Sequence, residues 1–216
     1  MPDLQFMVAG AEPVPFAAAP MLNFSLHISD PSGQPIQAIL LRCQIRIEPA
    51  RRDYPPAERQ RLGDLFGDPS RWGQTLRPML WTHASVVVPP FEKTITVDLP
   101  VPCTYDFNVA ATKYFHALQD GQVPLLLLFS GTLFLHNQEG NLQISQIPWE
   151  KEACFRLPVQ TWKRMMEMYY PNCHWLNLPA HVFDRLYEYK SRNGLPTMES
   201  AIDRLIQEAA PEEVRP

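Results

Sequence analysis

The chain is poor in glycine, with 9 glycines against 23 prolines in 216 residues. It also lacks any glycine-rich loop that could cradle a phosphate. The nearest cluster, Gly63 and Gly67, has neither the Gly-x-Gly-x-x-Gly nor the Gly-Lys-Ser spacing, which excludes the common nucleotide-binding fingerprints. The four cysteines, Cys43, Cys103, Cys154 and Cys173, include no Cys-x-x-Cys pair, so zinc-ribbon and thioredoxin-like sites are excluded. They are expected to be reduced thiols packed as small hydrophobes in a cytoplasmic protein. None of the six histidines lies at i, i+4 with a glutamate or beside a Gly-x-Ser-x-Gly elbow, and they read as strand-surface or interface residues. No cofactor and no metal is expected.

A dominant charge is missing as well. Lysine and arginine number 19, aspartate and glutamate 23, for a net charge of −4; no basic field recruits nucleic acid and no acidic excess keeps the chain unfolded. The most apolar run, Val123 to Phe129, falls far short of the roughly 20 residues needed to cross a bilayer as a helix. The first 20 residues have an acidic Asp3, no lysine or arginine, and prolines inside their apolar part. They do not read as a signal peptide and are expected to be a loose tail.

What is abundant is proline, spread as punctuation along a chain that is 45% hydrophobic. Short elements follow, and most of them alternate with a period of two. Phe24, Leu26 and Ile28 define one strand, and Leu41, Cys43, Ile45 and Ile47 a second across the turn DPSGQP; the two are expected to pair as a hairpin. Trp81 to Val88 and Ile95 to Leu99 flank PPFEK. Thr104 to Thr112 alternates and is expected to form a hairpin with Leu125 to Leu135, a strand read as buried on both faces. Leu142 to Ile147 and Cys154 to Leu157 complete seven or eight strands. YPPAERQRLGDLFG reads as an inserted helix, started by proline and stopped by Gly67.

Beyond residue 157 the period becomes 3.6. Trp162, Met165, Met166 and Tyr169 share one helical face; Val182, Phe183, Leu186 and Tyr187 a second; Ile202, Leu205, Ile206 and Ala209 a third, capped by Thr197. The expected fold is α+β: an antiparallel β-sandwich-like body with one inserted helix and three C-terminal α-helices packed on the sheet. The expected boundaries are a tail over 1–20, a β body over 21–157 with its insertion near 55–66, and a C-terminal helical layer of the same domain over 158–210.

For function, two connections stand out. RWGQTLRPMLWTH and SQIPWEKEA place large aromatics and arginine in probable loops, the composition of protein-binding hot spots. Trp72, Arg77, Trp81 and Trp149 are the partner-binding candidates, the alternative being tryptophans folded back to plug the sandwich. Trp162 and Trp175 read as core of the helical layer. Arg42, Arg46, Arg51, Arg52, Arg59 and Arg61, interleaved with Glu48, Asp53 and Glu58, read as a solvated rim.

RWGQTLRPMLWTHASVVVPPF, VPCTYDFNVAATKYFHAL, VPLLLLFSGTLF and IPWEKEACFRLPV together resemble an uncharacterised bacterial family of unknown function, associated with gene neighbourhoods of nickel-iron uptake hydrogenases. A weaker likeness is to the export chaperone SecB: FSGTLF is similar to its glycine-containing third strand, and WLNLPAHVFDRLYEYK to its C-terminal segment, through Leu176, Leu178, Phe183, Asp184, Leu186 and Tyr187. The family resemblance implies a process and no mechanism; the expected function is a non-catalytic accessory or chaperone-like protein-binding factor, with a hydrogenase subunit or precursor as the candidate partner and homo-oligomerisation left open. The alternative is an enzyme or small-molecule binder with a site at strand ends.

Overall fold

A computed structural model describes residues 2–106, 109–137 and 139–209. In chain order the elements are β1 (Gln5–Pro13), β2 (Met21–Ser29), β3 (Ile36–Ile47), α1 (Pro56–Phe66), α2 (Trp72–Thr75), β4 (Met79–Val88), β5 (Thr94–Pro102), α3 (Ala110–Ala117), β6 (Gln122–His136), β7 (Leu142–Gln146), β8 (Glu152–Pro158), α4 (Val159–Tyr169), α5 (Ala180–Arg192) and α6 (Met198–Ala209). They divide into two compact units, Met1–Trp175 and Leu176–Pro216.

The first unit is an antiparallel sandwich. One sheet has the order β1-β2-β5; the other runs β4-β3-β6-β7, with β8 also paired to β6. The 15-residue β6 explains the apolar run at its heart. One of its edges pairs with β3 along its length, and the other pairs first with β8, over Gln122–Leu128, and then with β7, over Thr132–His136. Its odd-numbered residues Leu125, Leu127, Phe129, Leu133 and Leu135 are buried against Leu22, Phe24, Leu26 and Ile28 of β2 in one hydrophobic cluster. The rings of Phe6 and Phe129 stack at 4.2 Å, and Phe24 meets Phe155 at 5.7 Å.

Several expectations change. The N-terminal segment is not loose: β1 is an edge strand paired to β2, and Leu4 and Val8 are buried by the same alternation that defines the other strands. Pro13 ends it, where an edge strand needs no further amide donor. Neither expected hairpin forms. β2 and β3 lie in different sheets, because their proline-containing connection arches across the sandwich instead of turning back within a sheet, and the segment over 104–112 expected to pair with β6 is not a strand. Asp30 anchors the β2–β3 arch, its buried carboxylate accepting from the amides of Asp3 and Ser32 and from the Ser32 hydroxyl.

The segment expected as a strand over 104–112 is a bridge at Asp106 followed by α3; Phe107 and Asn108 lie outside the described residues. Ala111, Tyr114, Phe115 and Leu118 are buried at i, i+3, i+4 and i+7, a helical stripe whose tertiary burial outweighs the short alternation before it. The even-numbered face of β6 is not fully buried: Leu126, Leu128, Thr132 and Phe134 are half-exposed and Ser130 is exposed.

The inserted helix forms as α1, with Gly67 at its C-cap at φ 71°. The C-terminal helical layer divides at residue 175. α4 packs on the sandwich through Val159, Trp162, Met165 and Met166, all buried, whereas α5 and α6 belong to the second unit. The oxygen of Thr197 caps α6 by accepting from Ser200 N at 3.1 Å, as its sequence position suggests. Among the described residues, no helix is long and apolar enough to cross a membrane.

Candidate protein-binding face

The register of the larger sheet fixes what its outer face displays. From Leu40 to Arg46 the even-numbered residues of β3 point away from the core and meet outward residues on both neighbours. Leu40 pairs with Val87 and Thr132, Arg42 with Ser85 and Ser130, Gln44 with His83 and Leu128, and Arg46 with Leu80 and Leu126. Farther across, Phe134 pairs with Ile144, and Leu126 and Leu128 pair with Cys154 and Glu152 of β8. Leu40, Leu80, Val87, Leu142 and Ile144 are each between 48 and 63% exposed. Between these aliphatics lies a shallow depression of about 440 Å³, lined by Arg42, Gln44, His83, Ser85 and Ser130. Arg42, Arg46 and Arg156 oppose the one acidic side chain Glu152 among these outward positions, so the face is basic on a chain of net charge −4.

The smaller sheet presents a different outer face. Asn23, Ser25, His27 and Ser29 of β2 lie beside Thr94, Thr96, Asp98 and Pro100 of β5, an ordinary solvated surface. The contrast matters because clustered aliphatics with arginine depart from such a surface, while single exposed apolar residues do not.

The four tryptophan and arginine candidates are not brought together. Trp72 is buried, its indole donating to Gly67 O at 3.0 Å and its ring edge-on to Tyr54 and Phe66; it plugs the core under α1, which corrects its reading as a binding residue. Trp81 is half-buried, 4.9 Å from Phe115 and 6.3 Å from Phe24, and serves the core as well. Arg77 is exposed in the connection before β4, its Nε donating to Gln74 O. Trp149, 88% exposed, occupies the β7–β8 turn. Those last two flank opposite edges of the five-stranded sheet.

Sequence reasoning missed Leu40, Val87 and Ile144. The alternation in AILLRCQIRI marks the outward parity, but the pairing of Leu40 with Val87 depends on a register that no local pattern encodes. The helical-layer tryptophans also part: Trp162 is core, whereas Trp175 is 54% exposed, 4.9 Å from Tyr170.

Other polar groups are mostly structural. Arg52 does not sit on a solvated rim: it is buried and donates to both Glu58 oxygens, at 2.9 and 2.8 Å, and to the carbonyls of Asp120 and Gln122. This pair forms one wall of a cleft of about 660 Å³ at the ends of β3, β6 and β8, lined also by Arg51, Asp53, Gln119 and Arg156. Burial raises the Tyr54 hydroxyl to about 12, where it bonds Tyr114 at 2.7 Å. Burial likewise pushes the Cys43 and Cys103 thiols up to about 12, while Cys154 and Cys173 are exposed and do not fit the expected packed-thiol role.

A cluster of rings joins Tyr105, His116, Tyr170 and His174. Tyr105 hydrogen-bonds His174 Nδ1, and the two imidazoles lie 5.0 Å apart. Burial, the facing His174, and then Arg61 and Lys163 lower the pKa of His116. Among the described residues, no three His, Cys, Asp or Glu gather as a metal site.

Residues 1–214 match the model of a family described as "Family of unknown function (DUF6084)". No curated protein matches. Among solved structures, the crystal structure of the CARDB domain of the PF1109 protein from Pyrococcus furiosus, in complex with di-metal ions, is similar at 11% identity and TM-score 0.28, covering 72% of this chain and 91% of that one. A solution NMR structure of the same domain has 13% identity and TM-score 0.27, covering 73% and 94%. No functional conclusion follows from likenesses at those scores.

Proposed function

We propose that this chain, which belongs to the DUF6084 family of unknown function, is a non-catalytic protein-binding factor that recognises its partner through the outer face of the five-stranded sheet. The observation that carries this reading is the inequality of the two outer faces. One is mostly polar, with Asn23, Ser25, His27, Ser29, Thr94, Thr96 and Asp98 and a single exposed large apolar side chain at Met7; the other sets Leu40, Leu80, Val87 and Ile144 around Arg42, Arg46 and His83. Aliphatic anchors with arginine make up an interface core, and the positive balance selects a partner surface that is acidic around an apolar centre. Trp149, at the edge, is the one fully displayed aromatic among the four candidates. The candidate partner suggested by the sequence resemblance is a nickel-iron hydrogenase subunit or its precursor, which would make the chain an accessory or chaperone-like factor acting in the cytoplasm.

A second reading, a small-molecule site, rests on the cleft beside Arg52 and Glu58, which lies at strand ends. Its most buried cation is already neutralised by Glu58, so the sheet face is the better supported of the two. Calorimetric titration of the full chain with a purified hydrogenase precursor separates the possibilities. Binding that falls at least tenfold in Arg42→Glu/Arg46→Glu, about 1.4 kcal/mol, supports both face and partner. Binding that ignores the pair overturns the face, and no binding of the wild type overturns the choice of partner.

A further inference from the structure

The middle of the five-stranded sheet's outer face carries side chains that the fold leaves unused. Arg42 stands between Ser85 and Ser130 in one cross-strand row, and Gln44 beside His83 in the next, about 7 Å farther along the strands. All five line the shallow depression of about 440 Å³. Among the described residues, none of these five side chains makes a hydrogen bond or an ion pair. Polar neighbours elsewhere on the two sheets do pair. Gln146 Nε2 donates to Thr132 Oγ1 at 3.3 Å on this same face, and His27 Nδ1 lies 3.1 Å from Thr96 Oγ1 on the other sheet.

What the five share is the capacity to donate. They bring together a guanidinium fork, two hydroxyls, an imidazole and a carboxamide, with no carboxylate among them. The acid of this face, Glu152, stands in the Gln44 row beyond Leu128, two strand spacings or about 10 Å from Gln44. The set therefore fits an anion. A carboxylate has two oxygens and roughly four lone-pair positions, fewer than these donors can fill. A phosphomonoester carries about −1.5 to −2 charge at neutral pH on three strong acceptor oxygens, and an arginine fork grips two of them in parallel.

The rows on either side say what carries that phosphate. Leu40 and Val87 form the adjoining row on one side, and Leu80 with Leu126 lies beyond His83 and Gln44 on the other. Leu40, Leu80 and Val87 are each about half exposed or more. A free phosphate ion covers none of them, whereas a polypeptide whose phosphorylated residue enters the depression lays its apolar neighbours on both sides. We infer that the depression is a recognition site for a phosphorylated serine or threonine of the protein partner, flanked there by apolar residues. The inference rests on the sheet-face reading and names the chemistry which that face selects.

Isothermal titration of the full chain at constant ionic strength tests this, with acetyl-Leu-phosphoserine-Leu-amide, its serine and glutamate counterparts, and inorganic phosphate as the probes. The phosphopeptide is expected to bind at least tenfold tighter than each of the other three. Arg42→Gln and Ser85→Ala/Ser130→Ala are each expected to weaken it at least tenfold with unchanged melting. Arg42→Lys, which keeps the charge and disturbs the surface least, is expected to weaken it severalfold because it lacks the fork. A phosphopeptide that binds no better than the serine peptide overturns the site, as does full affinity in the Arg42 variants. Equal binding of the glutamate peptide makes this a carboxylate site, and equal binding of inorganic phosphate makes a free anion the occupant; either result overturns the phosphorylated partner. A hydrogenase precursor that binds through Arg42 and Arg46 while the phosphopeptide does not bind leaves the sheet face standing without the phosphate, so the two readings fail separately.

Discussion

Gly131 of β6 and Leu41 of β3 are register partners whose backbones approach so closely that a Cβ on Gly131 would stand 2.2 Å from the carbonyl oxygen of Leu40 and 3.2 Å from the Cα of Leu41. The glycine also holds φ at +150°, a conformation that side chains avoid. The Ser130-Gly131-Thr132 break in the longest apolar run is thus a place where β3 leaves no room for a side chain on β6. Gly131→Ala is expected to lower stability by about 2–4 kcal/mol through the clash and the strained backbone together, read as a shift of the denaturant midpoint without change of slope. A shift below 0.5 kcal/mol would show that the strands can part there.

Arg52 and Glu58 tie the loop after β3 to the loop before β6. Glu58 accepts from Gln119 N at 2.7 Å in addition to Arg52, and both side chains are buried. Removing one member strands the other, which for a buried pair costs about 3–5 kcal/mol. Glu58→Ala is therefore expected to melt well below wild type, and Arg52→Met/Glu58→Leu to recover most of the loss. Equal melting of both variants would mean that the hydrogen bonds to Asp120 and Gln122, and not the charge pair, hold this corner.

The sandwich, its strand parities and α1, α4, α5 and α6 were legible because period-two and period-3.6 burial are written locally. What was not legible depends on partners distant in sequence. Whether β2 turns back on β3 or crosses to the other sheet is decided by where Leu22 to Ile28 find apolar cover, and DPSGQP is compatible with either. Residues 104–117 carry both periods, and the burial of Phe115 against Trp81 and Trp162 and of Tyr114 against Tyr54 and Phe66 decides for the helix. Trp72 was misjudged for the same reason: its loop resembles a display loop until α1 is folded over it. The proposed binding face needed the register, since Leu40, Val87 and Ile144 lie on three different strands.

Asp30 supplies a pH dependence. Burial pushes its carboxyl up, but the Ser32 hydroxyl and the amides of Asp3 and Ser32 more than offset this, so its pKa ends below the ordinary value. A carboxylate depressed in the folded state contributes stability that is present above the ordinary carboxylate range and lost as pH falls through its folded pKa. Asp30→Asn should melt below wild type at neutral pH, by roughly 1–3 kcal/mol for the weakened bonds, and the two curves should converge as the pH drops below about 4, near the ordinary aspartate value. A constant gap down to pH 2 would show that Asp30 stays charged or does not anchor the arch.

Trp72 and Trp149 give the sharpest contrast between a plug and a display residue. Trp72 is enclosed by Tyr54 and Phe66 and hydrogen-bonded through its indole, whereas Trp149 is 88% exposed in a turn. Truncating a buried tryptophan removes its transfer energy and leaves a cavity, about 3–5 kcal/mol, so Trp72→Ala should unfold at much lower denaturant. Trp149→Ala should stay within about 0.5 kcal/mol of wild type, as surface changes do. Partner binding is expected to respond oppositely. Trp149→Ala weakens it by about 1–2 kcal/mol if the turn borders the interface, and Trp72→Ala, measured where it is still folded, leaves it unchanged. A Trp149→Ala chain that binds the partner with full affinity would confine the interface to β3, β4 and the paired half of β6.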